Sequence, residues 1–254
     1  METARHLPLH EFDDAQEAVI NPWRRRVPAD FPDRAVACWF GDLLGSLTEG
    51  SAPVANIEFE HGDHPIHVIE HADQRIAVFN PGVGGPTAAA SLETVIALGA
   101  RKVIGCGGAG IVVPGFDVGY VVVPTGAIRD DGTSYHYAPA HVDVAPHPDA
   151  VAAIDAVLSA AGIPHDRGIT WTTDAIYRET PAKVARRREQ GAITVEMEAS
   201  AMFAVSAFRS AVYGQLLYAG DDVSAQTWDH RHWVSNTSAR ERLFRLACDA
   251  VVRL

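Results

Sequence analysis

The chain is short of cysteine, of positive charge and of long apolar runs, and each shortage excludes something. Its three cysteines, Cys38, Cys106 and Cys248, are odd in number and far apart, which argues for a reducing compartment and against a disulfide framework. Acidic residues outnumber basic ones by 32 to 21, for a formal net charge of −11. Such a balance argues against a nucleic-acid backbone or an anionic membrane as the main partner. It leaves room for a local basic pocket that takes a small anion. No window reaches the ~18 apolar residues of a membrane span. The opening METARHLPLHEFDDAQ carries acids and no apolar core, so it does not read as a secretory signal. Internal repeats and low-complexity linkers are absent too. The expectation is a cytoplasmic protein with one domain over residues 1–254, able to bury roughly 70–75% of its unfolded surface without a metal or disulfide staple.

What is present is an alternation of strand-like and helix-like segments. Ile66–Glu70 and Arg75–Asn80 read as strands joined by a turn at His71–Asp73. A break at Pro81–Pro86 precedes a helix to about Leu98, with Pro86 in its first turn and Gly99 as its stop. Arg101–Gly105 reads as a strand ending in a loop, Cys106–Gly110, and Tyr120–Val123 as another strand. A helix follows over Pro148–Gly162, then a strand at Ile169–Thr173 and a charged helix at Lys183–Gln190. Ile193–Val195 runs straight into an apolar helix from Glu198 to Phe208, and Val212–Ala219 is the last core strand. Ser238-Ala-Arg-Glu241 has the form of a capping box for a C-terminal helix. The alternation predicts an α/β fold with a central parallel or mixed sheet and helices on its faces. Ligands in such sheets collect at the carboxyl ends of strands, here the loops after Gly105, Thr173, Val195 and Ala219.

Four segments at those places could carry chemistry. Asn80-Pro-Gly-Val-Gly-Gly-Pro-Thr87 and Gly105-Cys-Gly-Gly-Ala-Gly110 bring backbone N–H groups close to a ligand, or are simply tight turns. In Thr194-Val-Glu-Met-Glu-Ala-Ser200 two acids bracket a methionine where a strand becomes a helix. The acids complement the helix dipole, or one accepts hydrogen bonds from two vicinal hydroxyls while the methionine packs on a sugar face. Gly220-Asp-Asp-Val-Ser224 ends the last strand with a candidate general acid or with a turn aspartate. His61, His64, His67 and His71 are crowded but match no zinc spacing, and Trp228–Trp233 reads as a packed aromatic loop. No metal is expected.

Taken together these segments resemble the nucleoside phosphorylase superfamily, which includes uridine phosphorylase, hexameric purine nucleoside phosphorylase and methylthioadenosine nucleosidase. The likeness runs from about Asp30 to Asp222. Gly82-Val-Gly-Gly-Pro-Thr87 resembles the family's G-I/V-G-x-P-S/T element. Arg129–Tyr137 resembles the uridine-phosphorylase branch, and Val195-Glu-Met-Glu-Ala199 the ribose-binding signature. The resemblance implies a three-layer α/β/α fold with a central mixed sheet, and assembly as a homo-oligomer, dimer or hexamer. It implies that Glu198 binds the ribose 2′- and 3′-hydroxyls, that Met197 packs under the sugar and that Glu196 shapes the same site. His6 resembles a histidine that reaches a neighbouring subunit's substrate. Cys106, Gly107, Gly108 and Arg178 fall among the substrate-binding positions, and Gly84 among the phosphate-binding ones. Asp221 stands where purine enzymes place their acid, with Asp222 as the alternate.

Two departures from the family pattern bear on the reaction. The family's R-x-G-T/S phosphate element reads Val103-Ile-Gly-Cys106 here. Arg101 lies two residues upstream, roughly 6–7 Å further back on the same face. The G-D-P-D-R element is altered to Pro28–Arg34, keeping Arg34. Arg34, Arg129, Arg178 or one of Arg24–Arg26 could hold phosphate in its place. The short segment Asp174–Thr180 lacks the Gln-x-Arg of pyrimidine enzymes and leans toward a purine. The reading is a phosphorylase that cleaves the N-glycosidic bond of a purine-leaning nucleoside with inorganic phosphate as co-substrate and no cofactor. Alternatives are a hydrolytic nucleosidase or a non-catalytic nucleoside-binding homologue.

Overall fold

A computed structural model describes residues 7–22, 27–28, 30–60 and 62–254. His6, Arg24–Arg26 and His61 lie outside the described residues. Nine strands form one mixed sheet: β1 (Arg34–Cys38), β2 (Ala55–Ile57), β3 (His64–His71), β4 (Gln74–Phe79), β5 (Lys102–Ile111), β6 (Val121–Asp130), β7 (His165–Thr173), β8 (Ala192–Glu196) and β9 (Val212–Asp222), in the order β2-β3-β4-β1-β5-β8-β7-β6-β9. β5 is the hub. It runs parallel to β1 and β9 and meets β8 antiparallel at Gly110–Val195. Because β9 also pairs with β6, the strands β5-β8-β7-β6-β9 close a circuit at one side of the sheet.

Among the described residues six α-helices flank the sheet: α1 (Gly41–Leu47), α2 (Gly85–Leu98), α3 (Pro148–Ala160), α4 (Pro181–Glu189), α5 (Ala199–Phe208) and α6 (Thr237–Val252). Strand alternation divides the core between two faces. Val103, Tyr213, Phe79 and Ala77 pack with Leu92 and Val95 of α2 and Phe203 of α5. Their neighbours Ile104, Cys106, Val78 and Leu216 pack with Ile154 of α3 and with Leu243, Phe244 and Ala247 of α6. Each fully buried Leu, Ile or Phe contributes roughly 1.5–3 kcal/mol of transfer free energy, so both helical layers are fastened by the same strands. This is the three-layer architecture the resemblance implied.

Two local expectations are corrected. The glycine run is not a loop: β5 continues through it to Ile111. None of Gly105, Gly107, Gly108 and Gly110 has a positive φ, so conformational freedom is not what these glycines supply. They leave room for neighbouring side chains. A Cβ at Gly105 would stand 2.3 Å from the Tyr213 hydroxyl, and one at Gly107 3.4 Å from the Trp39 ring. The capping box is also displaced. The N-cap of α6 is Asn236, whose side chain accepts from Ala239 N at 3.2 Å, ahead of Ser238.

Candidate active site

The site is built where β8 runs into α5 without a turn glycine. Glu196, the last residue of β8, turns its carboxylate back onto the helix start. It accepts from Glu198 N at 2.7 Å and Ala199 N at 2.6 Å, and from the hydroxyls of Thr172 at 2.6 Å and Thr170 at 3.3 Å. Those bonds satisfy N–H groups that a helix N-terminus leaves without partners. Burial pushes the Glu196 carboxyl up, opposed chiefly by the hydrogen bonds from Thr172, Glu198 and Ala199. Its work is therefore to cap α5 and fix Glu198.

Glu198 occupies the N-cap position of α5 and is buried. Its Oε1 accepts the backbone N–H of Gly84 at 2.6 Å, from the loop ahead of α2. Gly84 presents that N–H from a φ of +89°, a region that L side chains avoid. Burial first, and then the charge of Glu196, raise the Glu198 carboxyl to about 8. A buried acid with so few donors is suited to accept hydrogen bonds from a ligand as it ionises. Met197, half-buried, lies between the two glutamates in the chain. Asp131 adds a second brace, accepting from Ser200 Oγ at 2.6 Å and from Ser134 N and Oγ at 2.7 and 2.8 Å.

A second group of side chains gathers at the end of β9. Asp221 is half-buried, and its Oδ2 accepts the indole N–H of Trp228 at 2.6 Å. Its Oδ1 lies over Gly110, 3.3 Å from where a Cβ would stand, with Val195 of β8 alongside. Glu179, just before α4, is close enough that burial and the charge of Asp221 raise it to about 7. Asp222, the alternate acid, forms an ion pair with Arg231 and accepts from Ser224 N at 2.7 Å, which makes it a turn brace.

The remaining expected site residues are placed elsewhere. Arg34 opens β1 opposite Lys102, while the ligand-facing ends are at Cys38 and Cys106. Four residues at ~3.3 Å each put it about 13 Å from that end, and its Nη1 pairs with Asp33 at 2.7 Å. Arg129 is a staple. Its donors go to Ser134 Oγ and to the carbonyls of Ala138, Pro139 and Val142 at 2.6–2.9 Å, with the guanidinium over Tyr135. Arg101, likewise, donates to the carbonyls of Ile96 and Ala100. Arg178 is exposed in a short 3-10 turn. Cys106 is fully buried on the α6 face beside Cys38 and Cys248, its thiol raised well above the ordinary value by burial; strand alternation turns it away from the crevice. Gly108 faces Tyr218 on that same side, and Gly107 faces Trp39.

Trp39 escaped the sequence reading, and nothing in its local pattern marks it. It follows β1, donates N–H to Cys106 O at 3.2 Å, and its indole N–H reaches Gly82 O at 2.8 Å. The indole thus fills the corner between β1, β5 and the Gly82–Gly84 loop, where the resemblance places phosphate. A cavity of about 640 Å³, lined by Gly41, Thr48, His64, Asn80, Val83 and Thr87, shares that loop but is lined by neither glutamate nor by Asp221.

The chain matches the model of the phosphorylase superfamily over residues 33–253. It is 28% identical over 180 residues to a uridine phosphorylase of Treponema pallidum, covering 62% of this chain and 69% of the relative. It is 26% identical over 255 residues to a guanosine phosphorylase of Halorubrum lacusprofundi, covering 98% of each. The crystal structure of an AMP nucleosidase from Bacteroides thetaiotaomicron has the same fold, with a TM-score of 0.70 at 22% identity over 88% of each chain. The chain is therefore an enzyme of the phosphorylase superfamily.

Proposed function

We propose that the protein cleaves the N-glycosidic bond of a purine-leaning nucleoside, with phosphate as the attacking group. The observation that carries the cleavage reading is the buried Glu198 carboxyl, held by Glu196 and Gly84 at the carboxyl end of β8. Ribose 2′- and 3′-hydroxyls would donate to it, and its charge would oppose the positive charge that develops on the ribosyl ring. Met197 would lie against the sugar. The Asp221 carboxyl would stand at the base end, where purine departure calls for a proton. The full-length likeness to a guanosine phosphorylase supports the same leaning. The further expectation is a homo-oligomer, dimer or hexamer, in which His6 serves a neighbouring subunit.

A second reading, hydrolysis by water, is favoured by one specific observation: the Trp39 indole takes up the phosphate corner and Val103 is fully buried in place of an arginine. Arg34 and Arg129 are engaged elsewhere. Phosphate would then need a cation from Arg24–Arg26 or from a neighbouring subunit. The test is base release from a panel of nucleosides with and without phosphate. Release that requires phosphate, with ribose 1-phosphate as product, supports phosphorolysis. Equal release without it supports water, and binding without turnover overturns both.

A further inference from the structure

We propose that Trp228 is the positioning residue for Asp221, its indole N–H fixing which carboxyl oxygen is turned to the leaving base; the assignment rests on the nucleoside-cleaving reading above. The two tryptophans of the Trp228–Trp233 loop part company in the structure. Trp233 packs against the core under α6, as a packed aromatic loop requires. Trp228 is 63% exposed, so burial does not account for its place. It is held by a hydrogen bond from Nε1 to Asp221 Oδ2 at 2.6 Å and by an edge-to-face contact with the His230 ring, 5.1 Å between centroids.

Both partners are fixed by their backbones. The chain from Asp222 to Asp229 is a closed loop: Asp222 N donates to Asp229 O at 2.9 Å, and Asp229 N to Asp222 O at 3.0 Å. Arg231 locks the closure, pairing with Asp222, approaching Asp229 at 3.5 Å and donating to Phe116 O at 2.8 Å. Arg231 and His232 hold φ of +49° and +48°, a left-handed stretch that L side chains adopt only where their surroundings impose it. Asp221 is aimed from the other side. Ala109 pairs with Ala219 and Ile111 with Asp222, so β9 carries one residue more than β5 between these points. Such a bulge re-aims the side chain that it carries. Asp221 Oδ1 comes 3.3 Å from where a Cβ of Gly110 would stand, and Val195 Cγ1 lies 3.0 Å from the same point. Glu198 follows Val195 by three residues, at most ~10 Å of extended chain.

An indole N–H donates and cannot accept. Oδ2 is therefore the accepting oxygen, and a proton carried by the Asp221 carboxyl sits on Oδ1, the oxygen over Gly110. As the C1′–N bond breaks, its electron pair passes into the base ring, and the Oδ1 proton moves to a ring nitrogen of the base. Asp221 is left as a carboxylate still held by Trp228. The nucleophile's oxygen bonds to C1′, and the proton that it releases restores the acid. Without the indole, the carboxyl is free to turn about a torsion that has no sharp preference of its own, and either oxygen takes the proton.

The test is Trp228→Phe, which keeps a ring at an exposed position and removes the donor, alone and combined with Asp221→Asn. On a purine nucleoside, Trp228→Phe should lower kcat ~10- to 10²-fold with little change in KM. In the Asp221→Asn background it should cost nothing further. On p-nitrophenyl riboside, whose leaving group needs no proton, the loss should be far smaller. Equal losses on both substrates, a loss that multiplies that of Asp221→Asn, or no loss at all overturns the proposal. If wild type cleaves no purine nucleoside, the reading beneath the proposal fails by itself. Trp228 is then judged by the NMR signal of its indole N–H, identified as the one missing from Trp228→Phe. A signal that moves in Asp221→Ala while the other tryptophan indoles hold still supports the brace, and a signal that stays in place removes it.

Discussion

At the residue scale, the two glutamates of Glu196-Met-Glu198 divide the labour that the sequence motif leaves joined. Glu196 accepts four hydrogen bonds and caps α5, whereas Glu198 accepts from Gly84 and stands at the N-cap of α5. Replacing Glu196 by Ala strands buried N–H and hydroxyl donors, at about 1–3 kcal/mol, and should lower Tm by several degrees with or without ligand. Glu198→Gln should act in the opposite direction on the free protein. Its carboxyl is raised from an ordinary value near 4.5 to about 8, so the folded state holds a proton that the unfolded chain gives up. Stability of the free protein is then lost as pH rises from about 5 through 8. The glutamine removes that slope. Melting scans should show Glu198→Gln more stable than wild type at pH 8 and nearly equal at pH 5. Parallel slopes in the two proteins would mean that the buried carboxyl is not the group responsible.

At the element scale, periodicity and punctuation located most helices and core strands, because Pro86 and Gly99 bracket α2 and Pro148 opens α3 as the rules of helix ends require. The turn between β3 and β4 was equally legible, with Ala72 and Asp73 at φ of +48° and +59°. β5 was misread because a run of small residues signals a turn by composition. Its extended form comes from packing, with Tyr213, Trp39 and Tyr218 seated where side chains would otherwise stand. Gly105→Ala tests this. The methyl group would meet the buried Tyr213 hydroxyl, and overpacking of this kind costs about 1–3 kcal/mol. A variant as stable as wild type, measured by denaturant unfolding, would show that the room is not needed. Arg129 could not be read from sequence for the converse reason. An arginine between Ile128 and Asp130 advertises anion binding, and only the fold shows its donors turned to the carbonyls of 138, 139 and 142.

At the scale of the whole molecule, the sheet brings three distant stretches to one end: the Gly82–Gly84 loop, the start of α5 and the end of β9. Family motifs made the first two legible. Trp39 was not legible, since its placement depends on which strands become neighbours and leaves no spacing in the chain. Among the described residues, Arg34 pairs with Asp33, Arg129 and Arg101 donate to backbone carbonyls, and Arg178 is exposed. No helix among the described residues is long and apolar enough to cross a membrane. The central claim is that Glu198 holds the ribose hydroxyls. Its most direct test is kcat/KM for a purine nucleoside and its 2′,3′-dideoxy analogue, in wild type and in Glu198→Gln. Wild type should prefer the ribonucleoside strongly, and the variant should lose ~10²-fold or more on it while changing little on the analogue. Equal losses on both substrates, or no loss on either, would contradict the assignment.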